Sequence, residues 1–357
     1  MRKLTVICGS TNIGGAELQL MEFVNSLQQI CEISLHLIGK EGDFSKLLED
    51  KKIPYERYSF SKYSWVYDFM NFVIKLRKLN PDTVLGWLYK GEIIGGLAAF
   101  IAQVGYVVGT SRNTYWPGAS KLKLFILRFV RKHFVNAAVA NSDAAQNWHD
   151  LNGITSQHSY LIPNFIRRDY LDIDNEQKPV NPIRVIGMAS RAVPGKGHSV
   201  LIQAGAKLRE RGIEIEFDFI GYGIPEWKFL GDELRRLKMD NFTTLRAGEL
   251  DLRQWYKNID LYISASEAWE SDSNSILEAV LTGLPILASN VIQPTSFHPG
   301  IPSFEVGDYI NLSSEILKLL DKDPNQLLSE LALRRANLLE SREESILIRL
   351  WANALKL

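Results

Sequence analysis

The sequence predicts an α/β protein made of two doubly wound, Rossmann-like domains, each with a parallel sheet. Apolar runs typical of strands alternate with helix-like segments from the first residues onwards. This alternation stops at a polar stretch, 167–182, and then starts again. The length of 357 residues is enough for about two domains with cores of their own. Because helices cover both faces of a parallel sheet, the alternation favours parallel strands.

In the first half, five short apolar runs predict strands. They are "KLTVICG", "EISLHLIGK", "PDTVLGWL", "YVVGTS" and "AAVANS". Helices are predicted at about 15–28, 64–79 and 120–134. The apolar stretch 93–111 is long enough for a membrane span, but Gln103 and Gly105 interrupt it. We therefore interpret it as a helix followed by a strand.

The second half repeats the pattern. Its predicted strands are "IRVIGMAS", "IEFDFIGYG", "DLYISAS" and "PILASN", and its predicted helices are "HSVLIQAGAKLRERG", "EWKFLGDELRRLK" and one that begins at Asn274 or Ser275. We expect an N-terminal domain at 1–168, a linker at 169–182, a second domain at 183–340, and a helix at 341–357 that returns to the first domain. The two parallel sheets are expected to face each other across a cleft at the carboxyl ends of their strands, where ligands bind.

The composition excludes some classes of protein. With 46% hydrophobic and 23% charged residues, the chain is not disordered. Its two cysteines cannot build a disulfide framework, and Cys8, in an apolar strand, indicates a reduced thiol and a cytosolic compartment. The start "MRKLTVICGS" reads as a strand rather than a signal peptide. The net charge of zero divides into +6 for residues 1–170 and −6 for the rest, which indicates an anionic partner for the first half or chance variation.

Three loops that follow predicted strands contain candidate ligand-binding residues. Gly14 and Gly15 stand at a helix start, where backbone N–H groups can approach a phosphate, although a tight turn explains them equally well. Arg191 and Lys196, in "SRAVPGKGH", can hold a diphosphate, and a solvated turn is the alternative. The third loop, "GYG", contains Gly223.

Two glutamates in "ESDSNSILEAVLTGLP" flank a predicted helix start. Glu270 lies on the loop that follows the carboxyl end of a predicted strand, and Glu278 lies about one turn inside the helix. One interpretation is structural, because Ser275 and Glu278 have the spacing of a capping box. The other is that both carboxylates bind hydroxyls of one ligand while the helix N–H groups bind its phosphates. The local pattern fits both.

Taken in order, these motifs resemble family 4 of the glycosyltransferases, retaining enzymes of the GT-B fold that are also described as glycosyl transferases group 1. The matching segments are "GGAE", "GWLYKGEIIGGLAA", "LIPNFI", "SRAVPGKG", "ESDSNSILEA" and "GLPILASN". The resemblance implies that Arg191 and Lys196 hold the donor diphosphate and that Glu270 contacts the transferred sugar. It also implies donor-binding roles for Glu278 at the ribose, for Asn274 and Ser275 at the phosphates, and for Gly14, Gly15 and Gly223.

The resemblance implies transfer of a sugar, with retention, from a nucleotide-diphosphate sugar such as a UDP-sugar. The expected acceptor is a saccharide or a lipid-linked molecule in the synthesis of surface polysaccharide, lipopolysaccharide or glycolipid. No metal, other cofactor or nucleic acid is expected. Where many members have a histidine, this chain has Arg112 and Asn113 as acceptor-side candidates. Because asparagine cannot act as a base, the proton acceptor is not identified, and a non-catalytic nucleotide-sugar-binding protein remains an alternative. A nucleotide-sugar epimerase is a second alternative, because it shares this fold.

The segment 120–134, "SKLKLFILRFVRKHF", combines apolar and basic residues. It predicts peripheral binding to an anionic membrane on the cytoplasmic side. A core helix of an α/β domain shows a similar pattern, so the sequence leaves both interpretations open.

Overall fold

The computed structural model describes residues 1–60, 64–114, 120–173, 183–268, 270–292 and 300–357. It divides into two compact units. The first consists of Met1–Arg167 together with Arg342–Leu357, and the second is Arg168–Ser341. The first unit is therefore built from two separate stretches of chain. Most of the predicted linker, 174–182, lies outside the described residues.

The first unit contains a parallel sheet of seven strands. They are β1 (Arg2–Cys8), β2 (Cys31–Ile38), β3 (Glu56–Tyr58), β4 (Thr83–Trp87), β5 (Val107–Ser111), β6 (Ala137–Ala140) and β7 (His158–Leu161). Their order is β3-β2-β1-β4-β5-β6-β7, so the winding reverses between β1 and β4. This reversal is the position where open α/β sheets bind ligands.

Helices cover this sheet. They are α1 (Gly15–Leu27), α2 (Asp43–Asp50), α3 (Trp65–Leu79), α4 (Leu88–Ala102), α5 (Lys121–Phe134) and α6 (Asp143–Leu151). The predicted helix-then-strand interpretation of 93–111 is confirmed, because α4 is followed by β5. Among the described residues, none of the helices is both long and apolar enough to cross a membrane. Cys8 and Cys31 are buried free thiols.

The C-terminal helix of the chain, Glu344–Leu355, completes the core of the first unit. Its Trp351 is fully buried and lies 4.8 Å from Phe23 and 6.1 Å from Trp87, measured between ring centroids. Ser26 also donates a hydrogen bond of 2.6 Å to Glu344. The apolar face of α1 is therefore covered by residues from the far end of the sequence.

A buried ion pair stabilises the end of β5. Arg131 on α5 donates two hydrogen bonds of 2.5 Å to Glu92 on α4, and both side chains are almost completely inaccessible. The same guanidinium donates to the Ser111 hydroxyl at 3.3 Å. This pair fixes the backbone that immediately precedes Arg112.

The second unit contains a parallel sheet of six strands. They are β8 (Val185–Ala189), β9 (Glu216–Gly221), β10 (Thr243–Ala247), β11 (Leu261–Ser264), β12 (Ile286–Ser289) and β13 (Ser303–Phe304). Its helices are α7 (His198–Glu210), α8 (Lys228–Arg236), α9 (Arg253–Asn258), α10 (Asn274–Leu281), α11 (Tyr309–Leu320) and α12 (Pro324–Ser341), and the C-terminal helix is then α13. The strand order is β10-β9-β8-β11-β12-β13, with the reversal between β8 and β11.

The first residues of the predicted linker are ordered against the second unit. Arg168–Tyr170 form a 3₁₀ turn. Tyr170 is buried, with its ring 6.2 Å from that of Tyr256, and Arg253 donates a hydrogen bond of 3.0 Å to the carbonyl of Asp169. The second unit thus begins with this turn.

Candidate functional site

The strongest cluster of predicted residues lies at the reversal point of the second sheet. Arg191 and Lys196 are in the loop that follows β8, and Glu270 is in the loop that follows β11. Because these two parallel strands are neighbours, both loops leave the same edge of the sheet. The topology therefore brings together two cations and a carboxylate that are far apart in sequence.

The two loops are fitted closely to each other. The backbone N–H of Glu267 donates a hydrogen bond of 2.8 Å to the carbonyl of Gly195. Gly197 has a φ of +78°, and a Cβ atom there would lie 1.8 Å from the carbonyl oxygen of Ala265. Only glycine meets both requirements, so the loop after β8 is held in one position against the loop after β11.

Lys196 forms a salt bridge with Glu270 in this structure. The Ser266 hydroxyl donates a second hydrogen bond, of 2.8 Å, to the same carboxylate oxygen. Burial alone would raise the pKa of Glu270, but the charge and hydrogen bond of Lys196, with the Ser266 bond and the charge of Arg191, lower it below its ordinary value. Glu270 is therefore an oriented, charged carboxylate at neutral pH.

The start of α10 does not form the capping box that the sequence allowed. The helix begins at Asn274, as predicted, and Ser273 is its N-cap residue. Ser275 is thus the second helical residue, and its spacing to Glu278 no longer matches a capping box. Among the described residues, the Ser273 side chain accepts no capping hydrogen bond from a backbone N–H of the first turn, although its hydroxyl lies 3.1 Å from that of Ser275. Backbone N–H groups at this helix start are of the kind that bind phosphate.

Glu278 is held by a tyrosine. The hydroxyl of Tyr256 donates to Oε2 of Glu278 at 3.3 Å and to the carbonyl oxygen of Ser275 at 3.0 Å. Both side chains are buried. Burial and then the negative charge of Glu278 raise the pKa of Tyr256 well above its ordinary value, so the phenol keeps its proton and acts as a donor.

His198 opens α7 directly after the loop of Arg191 and Lys196. It is buried, and its Nε2 atom lies 3.0 Å from the hydroxyl of Ser190. Burial, and then the nearby charge of Lys196, lower the pKa of His198 to about 4. The imidazole is therefore neutral at physiological pH, and the positive charge of the site comes from Arg191 and Lys196.

The remaining predicted donor residues lie in different places. Gly223 is in the exposed loop after β9 with a φ of +76°. Gly14 and Gly15 belong to the first unit, where they are the N-cap and the first residue of α1. A Cβ atom at Gly14 would lie 2.7 Å from Oε2 of Glu17. This carboxylate at the helix start competes with any phosphate there, and the donor-binding role of the two glycines stays a prediction.

Arg112 and Asn113, the acceptor-side candidates, directly follow β5. The guanidinium of Arg112 lies 3.7 Å from the ring centroid of Trp87 and donates a hydrogen bond of 2.9 Å to Asn164. Arg112 is buried, so its main contacts are within the first unit. Asn113 is half-buried. Their acceptor role stays a prediction.

In the part of the chain that the structure describes, no three His, Cys, Asp or Glu side chains are grouped so that they could hold a metal ion. The sequence also contains a D-x-D pattern, "DID" at 172–174, which we interpret as solvated linker residues rather than metal ligands. Its Asp174 lies outside the described residues. The expectation that turnover needs no metal stays a prediction.

Three site residues had no signal of their own in the sequence. Ser266 orients Glu270, and Tyr256 and Tyr262 surround the start of α10. Ser266 is the last residue of the predicted strand "DLYISAS", and the strand pattern did not indicate that its hydroxyl would reach Glu270. Tyr256 lies on a six-residue helix, which is too short to show a helical period, so its position was not accessible from the sequence.

Residues 183–322 match the family model described as glycosyl transferases group 1. This matching region lies within the second unit. CapJ of Staphylococcus aureus is 29% identical to it over 274 residues, 71% of this chain and 64% of CapJ, so less than two thirds of CapJ is covered. CapM of the same organism, a capsular polysaccharide biosynthesis glycosyltransferase, is 22% identical over 311 residues, 82% of this chain and 81% of CapM.

Solved structures similar to this chain have the GT-B fold. Alr3699/HepE of Anabaena, solved in complex with UDP and glucose, has a TM-score of 0.84 with 21% identity and full coverage of both chains. TarM of S. aureus has a TM-score of 0.76 with 12% identity, also over both full chains. The predicted α/β GT-B fold class is therefore confirmed.

Proposed function

We propose that this chain is a retaining glycosyltransferase that moves a sugar from a nucleotide-diphosphate sugar, such as a UDP-sugar, to a saccharide or lipid-linked acceptor in surface polysaccharide assembly. One observation carries the proposal: Lys196, Glu270, the start of α10 and Glu278 follow neighbouring strands of one sheet at its reversal point. The family match covers these residues. Further support comes from CapM, whose name gives this kind of activity, and from HepE, which was solved with UDP and glucose.

The chemistry of the site fits departure of a nucleoside diphosphate. Negative charge develops on the leaving diphosphate, and fixed cations and helix N–H groups stabilise it. Arg191, Lys196 and the first turn of α10 supply these groups. Glu270 contacts the transferred sugar, and Glu278 accepts hydrogen bonds from the ribose hydroxyls. The acceptor hydroxyl attacks the anomeric carbon from the face that the diphosphate leaves, and its proton passes to the departing phosphate oxygen. The reaction then proceeds with retention and without a metal.

The salt bridge between Lys196 and Glu270 adds a step to this scheme. A diphosphate that reaches Lys196 competes with Glu270 for its ammonium group, because both ligands are anionic. Donor binding thus moves Lys196 wholly or partly from the carboxylate to the diphosphate. Ser266 continues to orient Glu270 during this exchange, and the carboxylate becomes available to the hydroxyls of the sugar.

Replacing either cation tests the proposal. Arg191→Ala and Lys196→Ala each remove a charge-assisted hydrogen bond of about 1.5–3 kcal/mol, so each should lower turnover by about ten- to a hundredfold. Turnover of radiolabelled UDP-sugars with a membrane extract as acceptor gives the measurement, with and without EDTA. Lys207→Ala is the matched control, because Lys207 is on α7 and its partner there is Glu210.

Unchanged turnover in the Arg191→Ala/Lys196→Ala double variant would contradict these roles, and loss of turnover in EDTA would contradict the metal-independent reaction. Conversion of the donor without any acceptor would indicate an epimerase. UDP binding without any conversion, over a panel of sugars and acceptors, would indicate a non-catalytic binding protein.

The proposed partners include an anionic membrane on the cytoplasmic side, which α5 contacts. The core-helix alternative leaves much of this helix unexplained, because Leu122 and Phe125 are 66% and 62% exposed and Phe129 is also exposed. Exposed cations lie between and beside these apolar residues: Lys121, Lys123, Arg128 and Lys132. Each cation near an anionic surface contributes about 1 kcal/mol, so α5 favours reversible, salt-sensitive attachment.

A further inference from the structure

Exposed apolar side chains are concentrated on one part of the first unit. Of the 21 large hydrophobic residues that are exposed in the described part of the chain, ten lie on α3, α4 and α5. They are Trp65, Val66, Tyr67, Met70, Ile74, Phe100, Ile101, Leu122, Phe125 and Phe129. Monomeric soluble proteins rarely keep contiguous apolar patches of this kind without an interaction partner.

The exposed residues of α3 form a row along the helix. Tyr67, Met70 and Ile74 follow the spacing i, i+3, i+7, which places them on one side. The opposite side is buried through Phe72, Val73 and Leu76. On α5, Leu122, Phe125 and Phe129 have the same spacing. Each helix is therefore apolar on its outer as well as its inner side.

Direct contacts connect the three helices into one surface. Arg77 on α3 donates a hydrogen bond of 2.7 Å to the carbonyl of Ile101 at the end of α4. Phe100 on α4 stacks on Phe134 of α5 at 4.5 Å, and Phe129 meets Phe134 at 5.6 Å, both measured between ring centroids. The apolar rows of α3 and α5 are thus joined through the end of α4.

The charge of these helices is strongly one-sided. They carry nine Lys and Arg residues and two acidic residues. One acid, Glu92, is buried in its ion pair with Arg131, and the other, Asp68, accepts a hydrogen bond of 2.8 Å from Ser64. Of the nine cations, Arg131 is buried with Glu92, and Lys75 forms a salt bridge of 2.6 Å with Glu56 of β3. The other seven cations outnumber the remaining acid, so the outer surface of α3, α4 and α5 combines apolar side chains with an excess of positive charge.

We propose that α3, α4 and α5 together form a membrane-docking face that lies on an anionic lipid bilayer, with Trp65 and the row Tyr67, Met70 and Ile74 among the lipid headgroups and upper acyl chains. This inference rests on the membrane partner proposed above for α5 and extends it to two further helices. It does not depend on the glycosyltransferase reaction.

Charge complementarity selects lipid over a second copy of the chain as the occupant. Two copies of this face would bring their excess cations against each other, which opposes self-association. An anionic bilayer meets the same cations with opposite charge. Lys and Arg stems extend along apolar surface while their charged ends reach the headgroups, and Trp and Tyr concentrate at membrane interfaces.

Vesicle binding by the full-length protein tests the proposal. The probe is a vesicle of equal parts phosphatidylglycerol and phosphatidylcholine, compared with phosphatidylcholine alone. We expect sedimentation with the anionic vesicles at low salt, release at high salt, and quenching of Trp fluorescence by brominated lipid that Trp65→Phe reduces. The Met70→Glu/Ile74→Glu variant should bind at least about tenfold more weakly, because it replaces apolar contacts by negative charge.

Leu151→Glu is the matched control, because Leu151 on α6 is 88% exposed in the same unit but outside this face; it should bind like the wild type. Unchanged circular dichroism and an unchanged urea-unfolding curve show that each variant is folded. Wild-type binding by Met70→Glu/Ile74→Glu, or quenching that does not change in Trp65→Phe, overturns the three-helix face. Phe125→Glu tests attachment by α5 separately. If Phe125→Glu abolishes vesicle binding and Met70→Glu/Ile74→Glu does not, α5 attaches the protein without α3. A wild-type dimer that Met70→Glu/Ile74→Glu converts to a monomer, without vesicle binding, overturns the choice of lipid.

Discussion

Tyr256 links the fold of the second unit to the chemistry of Glu278. Its hydroxyl bonds both to the carboxylate and to the backbone of Ser275 at the start of α10. The side chain that we expect to meet ribose is therefore oriented from a different helix, α9. The capping box in which Ser275 and Glu278 would start the helix is not formed, because Ser273 is the N-cap residue of α10.

Glu278→Gln should lower UDP affinity about tenfold, because a neutral amide accepts weaker hydrogen bonds from two ribose hydroxyls. Tyr256→Phe should lower it several-fold through loss of orientation. Neither change should alter the affinity for a dideoxy analogue of UDP that lacks both ribose hydroxyls. Calorimetric titration with both ligands gives the measurement.

Tyr262→Phe is the control for this comparison, since that hydroxyl bonds to the Ser275 side chain rather than to Glu278. If Glu278→Gln and Tyr256→Phe weaken the binding of UDP and of the dideoxy analogue equally, Glu278 does not act at the ribose. If they only lower the melting temperature, the role of the pair is structural.

Part of the site could be predicted from the sequence. The order of the motifs and the family resemblance identified Lys196, Glu270 and Glu278 as site residues. Neither could reveal that Lys196 and Glu270 are bonded to each other, because a contact over such a distance in sequence depends on the pairing of β8 with β11. Testing the capping-box alternative for Ser275 also required the true helix start, because the N-cap residue, Ser273, lies two residues before the position that this pattern requires.

At the scale of elements, the loop after β8 depends on Gly197. Gly197→Ala should strongly destabilise the second unit and weaken UDP binding, because its Cβ would overlap the carbonyl of Ala265. Gly212 has the same φ of +78° but nothing within 4 Å of an added Cβ, so Gly212→Ala isolates the backbone strain, about 1–2 kcal/mol. Urea unfolding gives the free energy of unfolding of both variants. Gly197→Ala should lose more of it than Gly212→Ala, because the steric clash adds to the backbone strain. Equal losses would show that the fit between the loops is unimportant.

The predicted and unpredicted strands differ in their position. All nine central strands of the two sheets were predicted from apolar runs, whereas β3, β7, β10 and β13 were not. These four are the edge strands of the two sheets. A central parallel strand is buried on both faces and reads as continuously apolar, while an edge strand such as "TTLRA" of β10 is largely exposed. The order of the strands in each sheet, and hence each reversal point, could also not be predicted, because it depends on pairing between segments that are distant in sequence.

At the scale of the whole molecule, three buried histidines make stability depend on pH. Burial, foremost, lowers the pKa of His36 to about 4, of His149 to about 3 and of His198 to about 4. In the unfolded chain each titrates near 6.5, so below that pH the unfolded state binds more protons than the folded state. The free energy of unfolding should therefore fall between about pH 6.5 and pH 4, by up to about 1.4 kcal/mol per pH unit for each histidine.

Urea unfolding at pH 7 and pH 5 measures this dependence. His149→Gln should reduce it, because one of the three groups is lost. His133→Gln should leave it unchanged, because His133 is exposed on α5. A free energy of unfolding that rises between pH 7 and pH 5 would contradict the assignment of neutral buried imidazoles.

The return of α13 to the first unit has a consequence for synthesis of the chain on the ribosome. Domains usually fold in order from the N-terminus, at about 5–20 residues per second of translation. Here Phe23 and Trp87 are made early, but Trp351, which covers them, emerges only after the entire second unit. The second unit is thus the first to have its complete sequence available. Until α13 arrives, on the order of ten seconds or more later, the nascent first unit presents an open aromatic surface to chaperones.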